Sequence, residues 1–138
     1  MHPTDHFAAL YREEAGERLV ELEETLLELE GSPADLELVG KAFRAMHTIK
    51  GSAAMFAFDE IAAFTHEMET VFERVRSGAL PATPALIRHA LRGKDAIRAM
   101  LDGRSAETEG DRRALVEAFR ASGPSSLSPT PSPSRAAP

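Results

Sequence analysis

Apolar residues recur at steps of three and four through five successive segments of this chain, and no segment alternates apolar with polar residues as a half-buried strand would. Such a period confines the chain to helices that each bury one face. In the first segment Tyr11, Ala15, Leu19, Leu22, Leu26 and Leu29 form a single stripe. It predicts a helix from about Thr4, as N-cap, to Glu30, with Gly31 at the C′ position. The second helix is expected to open on Ser32-Pro33, a cap followed by proline at the first helical position, and to run to about Ala54. Its inward side carries Leu38, Ala42, Ala45, Met46, Ile49 and Ala53.

After the apolar connector Met55-Phe56-Ala57-Phe58, Asp59 is the expected cap of a third helix that ends at Ser77-Gly78. Ile61, Phe64, Met68, Val71, Phe72 and Val75 are its core face. Thr83-Pro84 repeats the cap-then-proline signature for a fourth helix, which ends at Gly103 and holds Leu86, Ile87, Ala90, Leu91, Ile97, Met100 and Leu101 inward. Gly93 is a weak point in its middle. A shorter fifth helix is expected from Asp111 to Ala121, with Leu115, Val116 and Phe119 inward. The fold class is therefore all-α: an antiparallel four-helix bundle with a fifth short C-terminal helix, over residues 1–121. From 122 to 138 Pro and Ser dominate, and the expectation is a flexible linker or tail, with a linker implying a further domain beyond it.

Composition removes several function classes. A net charge of −6 disfavours general nucleic-acid binding, and the acidic residues from Glu13 to Glu30 read as a solvated helix face. Without cysteine there is neither a disulfide nor a thiolate metal site. No apolar run approaches the roughly 20 residues that span a bilayer, and the first residues lack a signal-peptide layout. The expected location is the cytoplasm, with no membrane partner, and the expected oligomeric state is monomer because the bundle looks complete.

The chemistry concentrates in Ala42-Phe43-Arg44-Ala45-Met46-His47-Thr48-Ile49-Lys50-Gly51-Ser52. At about 100° per residue the apolar positions point one way and His47 points nearly opposite, with Gly40, Arg44, Lys50 and Gly51 around it. Lys50, at i+3, places an ammonium where it can offset the charge of a phosphoryl group on the imidazole, and Arg44 at i−3 can add to it. Each glycine costs the helix about 1 kcal/mol relative to alanine, a cost that clear space for an approaching partner or close helix packing would explain. In the third helix Thr65-His66-Glu67-Met68-Glu69 places Glu69 at the border of the core face, within reach of the neighbouring helix. A carboxylate there that accepts the Nδ1 proton of His47 fixes the tautomer and leaves Nε2 as the nucleophilic lone pair, with His66 one turn away. Taken singly, an exposed histidine is usually inert and a border glutamate is usually solvated or salt-bridged.

His47-Thr48-Ile49-Lys50-Gly51 resembles the phosphorylation motif of histidine phosphotransfer (HPt) domains. The longer run Phe43 to Ala53, then Phe56-Ala57-Phe58, Thr65 to Glu69 and Val75-Arg76-Ser77-Gly78 is similar to the N-terminal phosphotransfer domains of CheA-type chemotaxis kinases. Ser52 stands where some relatives carry a second glycine. The resemblance implies that His47 is the phosphoacceptor, that Lys50 supports the phosphoryl group and that Gly51 keeps the docking surface open. It implies that Glu69 orients and activates the imidazole, with His66 in the same network. It further implies a five-helix fold, a kinase domain of the parent protein that binds Mg-ATP, and response-regulator receiver domains (CheY- or CheB-like) as partners.

No Gly-rich phosphate loop, Walker lysine or acidic metal cluster is present, so this domain is expected to be a carrier that binds no cofactor of its own. Two other readings remain open at this point. His47, His66 and Glu69 would serve as a two-histidine, one-carboxylate metal site, or the bundle would be a protein-interaction module without covalent chemistry. His2, His6 and His89 look incidental.

Overall fold

The computed structural model describes residues 3–122, with side chains from His6 onward. Thr4 lies inside the first helix, one residue past its start, and so is not the cap expected there; His2, the side chains of Thr4 and Asp5, and the Pro- and Ser-rich stretch from 123 lie outside what is described. Among the described residues there are five α-helices and no strand. They are α1 (Pro3–Gly31), α2 (Leu36–Met55), α3 (Asp59–Arg76), α4 (Pro84–Leu101) and α5 (Glu109–Ser122), with a 3₁₀ turn at Ser105–Thr108.

Helix directions follow from cross-helix bonds. Arg12 Nε donates to Leu101 O and Arg98 Nη2 to Gly16 O, so α1 and α4 run antiparallel. His47 meets Glu69 while Phe43 meets Arg76, so α2 and α3 are antiparallel too. Ser105 bonds Glu60 and Arg120 bonds Glu67, which lays α5 parallel to α3 on the outside of the bundle. α1, α2, α3 and α4 close a ring, and α5 covers the α3–α4 side. The stripes meet in one core: Tyr11, Leu19, Leu22, Leu26, Leu29, Met46, Ile49, Met68, Phe72, Ile97 and Phe119 are all essentially without solvent contact.

Several expected boundaries differ. Ser32-Pro33 does not cap α2; Asp35 does, its Oδ1 accepting from the backbone N–H of Glu37 and Leu38 at 3.0 and 3.3 Å. Both are good caps in isolation, and the helix starts at the one nearer its apolar stripe while Pro33 sits in the turn between α1 and α2. Gly31 stays in the last turn of α1 without the left-handed conformation of a C′ glycine. Asp59 is the first residue of α3 rather than its cap: Phe58 takes that place with no side-chain bond, and Asp59 and Glu60 instead favour the positive end of the helix dipole. α5 begins two residues before Asp111 and reaches Ser122, one residue past the expected end. Thr83-Pro84 behaves as expected, Thr83 Oγ1 accepting from Leu86 N at 3.1 Å.

Three helices end in the same way. At α2, α3 and α4 the N–H two residues past the last carbonyl-capping position reaches back to a carbonyl three from the helix end: Phe58 to Ala53, Ala79 to Arg74 and Arg104 to Ala99, each at 2.8 Å. These are Schellman turns, which need a residue with positive φ. Gly78 and Gly103 supply two of them, and the third is Ala57 at φ 65°. The turn it closes delivers Phe58 onto Tyr11, ring on ring at 4.8 Å, and brings Phe56 to the same tyrosine at 5.7 Å.

Gly93 has a packing reason. A Cβ there would stand 2.8 Å from Met68 Sδ and 3.5 Å from Phe64, so the glycine lets α4 lie against α3 at mid-bundle.

Candidate functional site

The helical period carries His47 out of the core: its side chain keeps 63 % of its exposure, while Met46 beside it is fully buried. From α3, Glu69 rises at the edge of the core face with only 8 % of its side chain exposed. Its Oε2 lies 2.5 Å from His47 Nδ1, and its Oε1 lies 2.5 Å from Lys50 Nζ. Burial alone would raise the Glu69 carboxyl above its ordinary value of 4.5; the hydrogen bonds from Lys50 and His47, together with their charges, outweigh it and hold the carboxyl lower. Near neutral pH Glu69 is therefore a carboxylate that only accepts, and the shared proton belongs to His47 Nδ1. In the neutral imidazole, Nε2 then carries the lone pair.

The structure thus brings together His47, Lys50 and Glu69. His66 joins loosely: its Nδ1 stands 3.9 Å from Glu69 Oε1, one turn away on α3, beyond hydrogen-bond range. Gly51 is exposed, and a Cβ placed on it would meet nothing within 4 Å, so the surface one turn beyond His47 is open. Two residues expected around His47 are elsewhere. Gly40 is buried, and a Cβ placed on it would meet the Arg44 guanidinium at 3.4 Å. Arg44 lines a depression on the α1 side with Arg18, Glu21 and Thr48, away from the Glu69 side.

The sequence assigned no role to Phe43 or Arg76, which the structure brings to the site. A shallow depression of about 380 Å³ beside the histidine is lined by Phe43, Glu69, Thr70, Glu73 and Arg74. Phe43 lies beside the imidazole on α2 and beneath the Arg76 guanidinium of α3. The sequence signals were the i−4 spacing of Phe43 from His47 and the place of Phe43 and Arg76 in the family-like runs; nothing local pairs residue 43 with residue 76.

Among the described residues no three His, Asp or Glu side chains converge as a metal-ligand set. The trio weighed for that role does not gather: both Glu69 oxygens are engaged by His47 and Lys50, and His66 stays apart. Among the described residues no helix is long and apolar enough to cross a membrane.

Comparison with known proteins gives a consistent picture. A family model described as the Hpt domain matches residues 6–107. The sensor histidine kinase CheAY of Helicobacter pylori is 35 % identical over 111 residues, which is 78 % of this chain but 14 % of that protein. Among solved structures, the CheA phosphotransferase domain from Thermotoga maritima superposes with a TM-score of 0.70 at 34 % identity, covering 75 % of this chain and 97 % of that one. The phosphorylated P1 domain of CheA3 in complex with CheY6 from R. sphaeroides does so with a TM-score of 0.75 at 29 % identity, covering 85 % and 94 %. The chain spans about one seventh of the length of the curated relatives it matches.

Proposed function

Because this chain belongs to the Hpt domain family, we propose that it is a phosphoryl carrier of a CheA-like two-component system, with His47 as phosphoacceptor. The observation that carries the reading is the exposed imidazole whose Nδ1 is held by a buried carboxylate, itself held by Lys50. With the proton kept on Nδ1, the Nε2 lone pair faces solvent and is the nucleophile. It attacks the γ-phosphorus of Mg-ATP held by a separate kinase domain; the bond from phosphorus to the bridging oxygen breaks and ADP leaves. The imidazole in the phosphorylated state carries positive charge, which the Glu69 carboxylate offsets through Nδ1–H.

A receiver-domain aspartate then attacks the phosphorus, and the N–P bond returns its electron pair to Nε2. Lys50, already beside Glu69, lies one turn from the imidazole, where its ammonium offsets phosphoryl charge. Gly51 leaves room for the approaching domain. His66 supports Glu69 at longer range. The domain supplies the nucleophile and its surroundings, and both the nucleotide and the metal belong to the kinase domain. The partner chemistry is supported by the likeness to a P1 domain that was solved with CheY6.

The test mixes this chain with the remaining domains of its parent kinase and labelled ATP. The wild type is expected to take up label that resists alkali and is lost in acid, and His47→Gln to take up none. Equal labelling of both, or none of the wild type by an active kinase, removes the assignment.

A further inference from the structure

His47 is mostly exposed, and its Nδ1 alone has a hydrogen-bond partner. One hydrogen bond sets the tautomer but constrains only one combination of the two side-chain torsions, so the imidazole can still swing while the bond is kept. A second contact is needed to set its plane. Phe43, one turn earlier on α2, lies nearly parallel to the imidazole, with centroids 6.2 Å apart and planes 15° from each other. That is the offset-parallel arrangement aromatic pairs favour. Over the same phenyl ring stands Arg76 from the last turn of α3, its guanidinium carbon 4.4 Å from the centroid. Arg76 is in turn held by Glu73, whose Oε1 accepts from Nε at 3.2 Å and from Nη2 at 2.6 Å. The series from Glu73 through Arg76 and Phe43 ends on His47 and crosses from one helix to the other.

We propose that Phe43 and Arg76 are positioning residues for His47: their stack sets the plane of the imidazole, and so the aim of the Nε2 lone pair, while Glu69 sets the tautomer. The inference rests on His47 being the nucleophile. A cation over an exposed ring is weak in energy but demanding in geometry, which suits a group that must hold an angle. Phe43 also borders the depression beside His47, so the test has to separate aiming from docking.

Phosphoramidate makes that separation, because it donates without a protein partner. Nε2 attacks its phosphorus, the P–N bond breaks, and ammonia leaves. Phosphohistidine formation would be followed by phosphorus NMR for the wild type, Phe43→Leu, Phe43→Tyr, Arg76→Ala and Arg76→Lys, with carbon relaxation reporting the order of the His47 ring. Phe43→Leu is expected to react about tenfold more slowly, less than the roughly 100-fold that a misplacement of about 1 Å costs. Its imidazole should be less ordered while the nitrogen shifts still report Nδ1–H. Phe43→Tyr should restore both, Arg76→Ala should give a smaller loss of both, and Arg76→Lys should lie between Ala and wild type. Arg76 is half exposed, so its variants perturb the stack without touching the core.

Wild-type speed and ring order in Phe43→Leu and Arg76→Ala would overturn the proposal. A loss seen with the kinase but not with phosphoramidate would overturn it too, in favour of a docking contact. Should the wild type accept no phosphoryl group at all, the carrier reading fails, and ring order alone then decides whether the stack positions His47.

Discussion

Glu69 Oε2 accepts the Nδ1 proton of His47 at 2.5 Å, across the interface of α3 with α2. This bond decides which ring nitrogen is free, so Glu69→Gln should slow phosphorylation by about 100-fold, because an amide neither fixes the tautomer nor offsets the imidazolium. Lys50→Met should give a smaller loss, since it removes a phosphoryl neighbour and frees a Glu69 oxygen together. Initial labelling rates measure both. Unchanged rates in Glu69→Gln would mean that the bond has no part in the chemistry.

The lowered carboxyl of Glu69 sets an acid dependence. Its partners stabilise the charged form in the fold, so their contribution is complete above 4.5, the ordinary value, and is lost as the pH falls through the lower folded-state value. Carbon NMR of the Glu69 carboxyl should show a midpoint below 4.5 in the wild type. In the double variant Lys50→Met, His47→Leu the midpoint should move above 4.5, because both donors that lower it are gone and burial remains. A wild-type midpoint at or above 4.5 contradicts the geometry.

Tyr11 offers the alkaline counterpart. Burial pushes its phenol from 10.0 up to about 12, and its hydroxyl reaches Ile49 O at 3.3 Å. The fold favours the protonated phenol, so the associated stability is complete below pH 10 and falls as the pH rises toward 12. Tyr11 is the single tyrosine and there is no tryptophan, so tyrosinate absorbance reads this residue alone. Folded protein, verified by circular dichroism in the same titration, should ionise near 12. Ionisation near 10 while still folded would place the hydroxyl in water.

Ala57 holds a left-handed conformation that costs a non-glycine residue roughly 1–2 kcal/mol. Ala57→Gly relieves that strain but adds freedom to the unfolded chain, and the net gain expected in urea unfolding is about 1 kcal/mol. A loss would show that the alanine methyl contributes packing that outweighs its backbone strain.

Two helical glycines should respond oppositely to alanine. At the exposed Gly51 a Cβ meets nothing, so Gly51→Ala should gain up to about 1 kcal/mol of stability. At the buried Gly93 the new methyl drives into Met68, which is fully buried and has little room to yield, so Gly93→Ala should lose about 1 kcal/mol once the helix-propensity gain is subtracted. Bulk at Gly51, as in Gly51→Gln, should leave the fold intact and slow transfer to a receiver domain. Thermal and urea unfolding check the first two, and transfer kinetics check the third.

The number of helices, their inward stripes and the outward aim of His47 were legible in the sequence, because each depends only on the helical period within one segment. Cap choice was less legible: Ser32-Pro33 and Asp35 both carry good start signals a turn apart, and Asp35 is the one that caps α2. A helical wheel sets Gly40 and Arg44 around His47 by angle alone; in the fold Gly40 is buried beside the Arg44 guanidinium, and Arg44 lines a depression with Arg18 and Glu21 of α1. Glu69 was found as a border residue, but its charge state depends on burial and on two groups from another helix. Nothing in the chain's local pattern joins Phe43 to Arg76 or explains Gly93. Those depend on contacts between residues far apart in the chain, which exist only once the helices have packed. Local periodicity determines which way a side chain faces, and tertiary packing determines what it faces.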